Sequence, residues 1–374
     1  MTWSHFHPTR VTFGIGALSK LPEVSPQERV VLVTTPGTSA RGVTARVLQA
    51  LGSTRVQVIE NVTENPELRS LVNDVEAIRG DPTGVIAIGG GSALDSGKVI
   101  GVLLQSRRDG RAPMLTDSVG AGGMLPLVTV PTTAGTGSEV TPFATTWDFT
   151  TRRKSSVSGP GMFPTTALVD PELTLSLPES VTVSSGLDAL SQGLEALWNR
   201  NSTGVTAAYA ARAVRLLLGT MNHLSRNLSD LSLRARMMEA SLLAGLAISA
   251  TRTAIAHSIS YPLTAHFGVP HGLACSFSLP EIIRFNTSGH HTRMSEIAEA
   301  VGMKSPEVLE REVEGLLLAL EVGPRLTGHG FDAGELARLG PEMLTPGRAD
   351  NNLRAVSVDE AVSIAQNSWR RLDN

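Results

Sequence analysis

At Val85–Ile88 a short apolar run passes directly into Gly89-Gly90-Gly91-Ser92-Ala93-Leu94-Asp95-Ser96-Gly97-Lys98, and an apolar helix follows. A buried strand that turns through glycine into a helix is the repeating step of an open α/β sheet. Glycines let backbone N–H groups approach phosphate oxygens without a clashing side chain, and the new helix N-terminus adds partial positive charge. The turn departs from a full G-x-G-x-x-G pattern because Leu94 holds the last position. A tight strand–helix connection with a Ser92/Asp95 capping box would also account for it. Three consecutive glycines exceed what a cap needs, so a bound pyrophosphate is expected here.

The segments before it alternate in the same way. Val30–Val33 is a β-branched strand followed by the turn-rich Thr34-Thr35-Pro36-Gly37-Thr38-Ser39-Ala40-Arg41. A helix is expected over Val43–Leu51, a strand over Val56–Ile59, a loop over Glu60–Pro66, and a helical segment to about Arg79. Strand–helix alternation predicts a parallel sheet with helical crossovers. Leu127–Val130 is a further strand, leading into Pro131-Thr132-Thr133-Ala134-Gly135-Thr136-Gly137-Ser138. Ligands of open α/β sheets bind outside the carboxyl ends of the strands, so two such loops predict one dinucleotide laid across that edge. The cofactor-facing residues expected are Thr35, Gly89, Gly90, Gly91, Ser92, Asp95, Lys98, Thr132, Thr133, Thr136 and Ser138.

Composition narrows the partners. A net charge of −3 leaves no basic footprint for nucleic acid or a polyanionic membrane surface. No window approaches membrane-spanning length, and the N-terminus lacks the pattern of a signal peptide. One cysteine excludes an intrachain disulfide framework and fits a reducing cytoplasm. At 374 residues the chain has room for two domains. Strand signals become scarce after the short strand Ala167–Val169, so the expected division is 1–180, an α/β dinucleotide-binding domain with a Rossmann-like parallel sheet, and 181–374, an all-α domain.

The first helix of the second half is expected to start with Ser184 or Ser185 as N-cap. It carries Asp188, Gln192 and Glu195 on one stripe at i, i+4, i+7. A solvated polar face would carry such a stripe too. The stretch 254–280 holds three histidines, His257, His266 and His271, punctuated by Pro262 and by Gly268–Pro270. A bend between His257 and His271 lets two imidazoles converge, and neutral imidazole is a common transition-metal ligand. Each histidine alone is better read as an ordinary core or surface residue; the pair bracketing the bend favours the metal.

The segments GGGSALDSGK, PTTAGTGSEVTPFA, LVDPELTLSLP, GLDALSQGLEALW and HSISYPLTAHFGVPHG resemble the iron-containing (group III) alcohol dehydrogenases over nearly the whole chain. The resemblance implies a dinucleotide-binding N-terminal domain, an all-helical metal-binding C-terminal domain and at least a dimer. It also implies a divalent metal, Fe(II) or Zn(II), with ligands falling on Asp188, Gln192, His257 and His271. Gln192 departs from the family pattern, which has histidine there, and an amide oxygen is a weaker ligand than imidazole. Tyr261 stands where many members have a proton-relay histidine, and offers a hydroxyl with an ordinary pKa near 10 instead. The implied chemistry is hydride transfer between nicotinamide and a carbonyl carbon, with His257 and His271 serving through the metal and Tyr261 or water passing the proton. Three other readings stay open: a metal-independent reductase of the maleylacetate-reductase type, a dehydroquinate-synthase-like lyase, and a cofactor-binding protein without catalysis.

Cofactor choice and substrate rest on cations. The loop after Val33 has no carboxylate to repel a 2′-phosphate, and Arg41 is placed to meet one, so NADPH is expected over NADH. Arg252 is the single charged residue between Leu242 and Leu263, five residues before His257. A buried guanidinium there needs an anionic partner, either a structural carboxylate or a substrate. TRTAIAHSISYPLTAHFGVPHGLACSFSLP and EALWNRN are similar to the subgroup of phosphonoacetaldehyde reductases of phosphonate metabolism. That resemblance implies an anionic aldehyde, with Arg252, Lys154 of the Arg152–Lys154 run, and His266 as phosphonate contacts.

Overall fold

The computed structural model describes residues 2–26, 28–110, 123–148 and 153–372. The chain divides into two compact units, residues 6–176 and residues 177–374 with 1–5.

In the first unit six parallel strands form one sheet: β1 (Arg10–Phe13), β2 (Arg29–Val33), β3 (Arg55–Ile59), β4 (Gly84–Gly89), β5 (Leu127–Pro131) and, after the hairpin described below, β8 (Thr166–Val169). Their order is β1-β8-β5-β4-β2-β3. The helices are α1 (Leu21–Val24), α2 (Pro36–Ala40), α3 (Val43–Leu51), α4 (Leu68–Ala77) and α5 (Gly91–Arg108). β4 and β5 are buried at every position, and β2 at every position after Arg29, because both faces are covered. Val31, Val33, Val85, Ala87 and Leu127 pack beneath α4 and α5. The alternate residues Val30, Leu32, Ile86, Ile88, Val128 and Val130 pack against α3. From β2 the chain goes to β3 on one side, then returns to place β4 on the other. That reversal is a topological switch point, where open sheets bind ligands.

Two features were not expected from sequence. β1 joins the sheet edge by pairing with β8, and β6 (Phe143–Asp148) and β7 (Arg153–Ser158) form an antiparallel hairpin outside the sheet.

The second unit contains no strand among the described residues. It comprises α6 (Glu179–Trp198), α7 (Gly204–Arg226), α8 (Leu231–Thr251), α9 (Ile255–Phe267), α10 (His271–Ser276), α11 (Leu279–Ala300), α12 (Pro306–Ala319), α13 (Val322–Thr327), α14 (Ala333–Arg338) and α15 (Val358–Leu372). α6 is its axle, buried at every position from Gly186 to Trp198. It begins at Glu179, earlier than the expected Ser184 or Ser185, directly after Pro178. The β-branched run Val181–Val183 hides that first turn from a periodicity argument, and Arg325 pairs with Glu179 at 2.7 Å to hold it. α9 runs through Pro262 without ending there, and the chain turns at Gly268 (φ +64°). No single described helix is long and apolar enough to cross a membrane.

Candidate active site

In the first unit the predicted cofactor residues gather at the carboxyl ends of β2, β4 and β5. They divide into an accessible rim and a buried support. Thr35, Gly90, Gly91, Ser92, Asp95, Thr133 and Thr136 are partly exposed; Gly89, Lys98, Thr132 and Ser138 are buried. α5 starts at Gly91 with no side-chain cap, so the Ser92/Asp95 capping box does not form. Asp95 instead accepts Ser138 Oγ–H at 2.6 Å and the Thr145 N–H at 2.8 Å. Lys98 donates to Ser138 Oγ (2.8 Å), Thr141 Oγ1 (3.2 Å) and the Phe143 carbonyl (2.8 Å). An ammonium has three protons, so these bonds occupy it as a strut between α5 and the loop after β5. Burial lowers its pKa to about 8 against the raising charges of Asp95 and Glu139.

The glycines have a second reason to be there. A Cβ on Gly91 would come within 2.5 Å of Thr136 Cγ2, and one on Gly90 within 3.2 Å of Thr133 Cγ2. The two loops are therefore seated on each other, with the Thr132 N–H bonded to the Gly89 carbonyl at 2.9 Å. Thr35 caps α2 by accepting the Thr38 N–H at 3.1 Å. Arg41 follows α2 and reaches Thr132 Oγ1 at 3.2 Å, besides bonds to the Gly37 carbonyl and Ser176 Oγ. All three acceptors are uncharged and leave the guanidinium charge in place.

The second unit brings Asp188 of α6, His257 of α9, and His271 and Cys275 of α10 together, with one ligand atom from each lying within 4.8 Å of the others. Asp188 Oδ1 is 3.2 Å from His257 Nε2 and 4.0 Å from His271 Nε2. An ion about 2.0–2.1 Å from each of two tetrahedral O/N ligands separates them by about 3.3 Å, so the set fits a small divalent cation. Gly272 makes this possible: a Cβ there would lie 1.7 Å from the Ser184 carbonyl oxygen, so the α10 backbone rests directly on α6. Glu195, one helical step beyond Gln192 on the same stripe, is fully buried. It accepts the Ala256 N–H (2.6 Å) and His257 N–H (3.2 Å), and thereby caps α9, which has no cap of its own. Its other oxygen lies 2.6 Å from His257 Nδ1. Gln192 donates its amide N–H to Asp188 Oδ1 at 3.0 Å.

Electrostatics bind the cluster together. Burial alone would raise the Asp188 pKa, but the His257 hydrogen bond and the imidazole charges bring it below the ordinary value. Burial would lower His257, yet Cys275, Glu195 and Asp188 hold it well above the ordinary value. Burial would raise Cys275, and His257 with His271 bring it down to about 6.

Tyr261, one turn after His257, stacks on the His271 ring at 6.4 Å between centroids. Its phenol oxygen accepts from Arg348 Nε at 3.3 Å. Arg348 belongs to a strap along α9: the Thr345 N–H bonds Ser258 Oγ at 2.7 Å, and Asn351 Nδ2 bonds the Thr253 carbonyl at 2.9 Å. Arg252 is exposed rather than buried. The apolar stretch around it is not one helix: α8 and α9 meet at 103°, and Arg252 sits at the break with φ +62°. That left-handed conformation is strained for a residue with a side chain, and Asn199 Nδ2 holds the Arg252 carbonyl at 3.2 Å. Partial desolvation of its guanidinium lowers its pKa, and the charge of Arg348 lowers it further. His266 does not join the cluster. Nine residues from His257, it faces the opposite side of α9 and pairs with Glu342 at 2.8 Å. Lys154 stands on β7 opposite Trp147; its side chain, like all of Arg152, lies outside the described residues.

Sequence reasoning placed Glu195 on the stripe without a role, gave Cys275 no part in the site, and missed Arg348. The first two were detectable as helical partners of Gln192 and His271. Arg348 had no such signal.

Two family descriptions match the chain: iron-containing alcohol dehydrogenase over residues 8–171, and Fe-containing alcohol dehydrogenase family, C-terminal, over residues 182–369. The chain is similar to phosphonoacetaldehyde reductase of Streptomyces viridochromogenes, 36% identical over 270 residues, which span 69% of this chain and 67% of that one. It is similar to choline dehydrogenase of Bacillus subtilis, 30% identical over 370 residues, 93% of this chain and 90% of that one. The crystal structure of sulfoacetaldehyde reductase from Bifidobacterium kashiwanohense in complex with NAD+ matches with a TM-score of 0.87 at 29% identity, covering 100% of this chain and 99% of that one.

Proposed function

The chain belongs to the iron-containing alcohol dehydrogenase family, and from that premise we propose that it reduces phosphonoacetaldehyde to 2-hydroxyethylphosphonate with NADPH. When bound, a divalent ion, Fe(II) or Zn(II), supplies Lewis acidity to the carbonyl oxygen, and the nicotinamide supplies the hydride. Asp188, His257 and His271 hold the ion, and Glu195 keeps the His257 Nδ1–H engaged so that Nε2 faces Asp188. Tyr261 accepts from Arg348 and keeps its own O–H as a donor, which suits it to deliver a proton to the developing alcohol.

The observation that carries the substrate reading is the pair of like charges at Arg252 and Arg348, the second of which touches Tyr261 beside His271. The charge of Arg348 is felt at Arg252, and an anion such as a phosphonate that binds both guanidinium groups would relieve that repulsion. The 36% identical phosphonoacetaldehyde reductase agrees with this chemistry. Arg41, charged and bonded only to uncharged acceptors in the contacts described, favours the 2′-phosphate of NADPH. A homo-oligomer in the cytoplasm completes the proposal.

A screen of phosphonoacetaldehyde, sulfoacetaldehyde, betaine aldehyde and propanal with NADPH tests it. Loss of one charge-assisted hydrogen bond corresponds to about a 10- to 100-fold effect. Arg252→Ala is therefore expected to raise KM for phosphonoacetaldehyde by about that factor and to leave propanal nearly unchanged. A wild type that prefers propanal or betaine aldehyde defeats the assignment. A metal-independent reductase is a second reading, favoured by the turn of Gln192 toward Asp188; full activity after chelation of every ion would establish it.

A further inference from the structure

We infer that Cys275 is the fourth protein ligand of the ion held by Asp188, His257 and His271, and that its thiolate makes the site one for Zn(II) in preference to Fe(II). This rests on the metal-dependent reading above and adds to it a ligand, and a choice of metal, that the family resemblance does not supply.

Cys275 lies one helical turn after His271 on α10, so both side chains leave the same face. The contact of Gly272 with the Ser184 carbonyl presses that face toward Asp188. Cys275 Sγ lies 3.6 Å from both ring nitrogens of His271, so the distance is the same whichever nitrogen ligates. An ion with bonds of about 2.3 Å to sulfur and 2.0–2.1 Å to nitrogen in a tetrahedral shell places those two atoms about 3.6 Å apart. Gln192 donates its amide nitrogen to the Asp188 oxygen at 3.0 Å, and its neutral amide oxygen is a harder, weaker ligand for Zn(II) than a thiolate. Cys275 is also fully buried, which removes it from bulk oxidants and leaves its sulfur to the three ligands beside it. A thiolate with two imidazoles and one carboxylate is a borderline-soft set, and the affinity order of divalent ions already ranks Zn(II) above Fe(II).

The test is X-ray absorption at the zinc edge on the full chain loaded with one equivalent of Zn(II). One sulfur scatterer at about 2.3 Å is expected, and Cys275→Ser, its fold checked by circular dichroism, is expected to lose it. Zinc affinity of the variant, measured by chelator competition, should fall at least about 10- to 100-fold, the range seen for losing even an outer-shell partner. The preference for Zn(II) over Fe(II) should shrink with it. Stoichiometric zinc in a shell of nitrogen and oxygen alone overturns the role of Cys275 and leaves the metal-dependent reading standing. A wild type that retains no zinc and works without it overturns both.

Discussion

Glu195 Oε2 lies 2.6 Å from His257 Nδ1, while Oε1 takes the backbone N–H groups of Ala256 and His257. One buried carboxylate thus fixes both the start of α9 and the tautomer of the histidine it carries. The imidazole Nε2 can ligate only when Nδ1 bears the proton, and an acceptor-only partner enforces that state.

Glu195→Gln tests this coupling with almost no change of shape. A glutamine must point its NH2 either at backbone donors or at Nδ1. In the second case Nδ1 becomes the acceptor and Nε2 carries the proton, which blocks ligation. Metal affinity by chelator competition is expected to fall about 10- to 100-fold. An unchanged affinity would show that His257 does not depend on Glu195.

Gly272→Ala is expected to act at the same cluster from a different direction. Its methyl group would sit 1.7 Å from a backbone oxygen of α6, which has no rotamer to escape through. α10 must lift, carrying His271 and Cys275 away from Asp188. Overpacking of this kind costs at least about 1–3 kcal/mol. Metal content after dialysis and the urea midpoint should both drop. A variant with normal metal content would mean that α10 tolerates the shift.

Much of this architecture is legible in local pattern. Val43–Leu51 is a helix over the residues its periodicity predicts, and the apolar runs of β2, β4 and β5 lie where expected, because strands buried on both faces carry a strong signal. β1 does not: Arg10 pairs with Thr166, and its four residues carry no pattern without that partner. The site divides similarly. The bend that brings His257 and His271 together is legible as a turn between two helical segments, whereas Asp188 as a ligand is what the family resemblance implies. Arg252 is expected to be buried because its sequence neighbours are apolar, and the break between α8 and α9 at its positive φ leaves it exposed instead. Arg348 lies in a strap of no regular period that meets α9 only through hydrogen bonds.

Cofactor preference is expected to follow Arg41. The guanidinium bridges the loop after β2 to Thr132 across the switch point. Arg41→Ala removes a charge suited to a 2′-phosphate and one hydrogen bond to the loop after β5. The ratio of kcat/KM for NADPH over NADH is expected to fall about 10-fold or more, as for a lost charge-assisted bond. Equal losses with both cofactors would assign Arg41 to holding the loop instead.

Glu139 supplies the pH dependence. It lies in the loop after β5, buried, and that burial raises its pKa from 4.5 to about 7 despite the nearby Lys98 charge. Between those values the folded protein holds a proton that the unfolded chain has released. Stability contributed by that proton is fully present below pH 4.5 and is lost as pH rises toward about 7. Each pH unit within the window costs at most about 1.4 kcal/mol from this group. Glu139→Gln keeps the neutral shape at every pH. Its stability relative to wild type is therefore expected to climb from pH 5 to pH 7 in urea titrations, with the difference levelling off above about pH 7. A constant difference across that range would mean that Glu139 is ionised inside the fold, paired with the Lys98 ammonium.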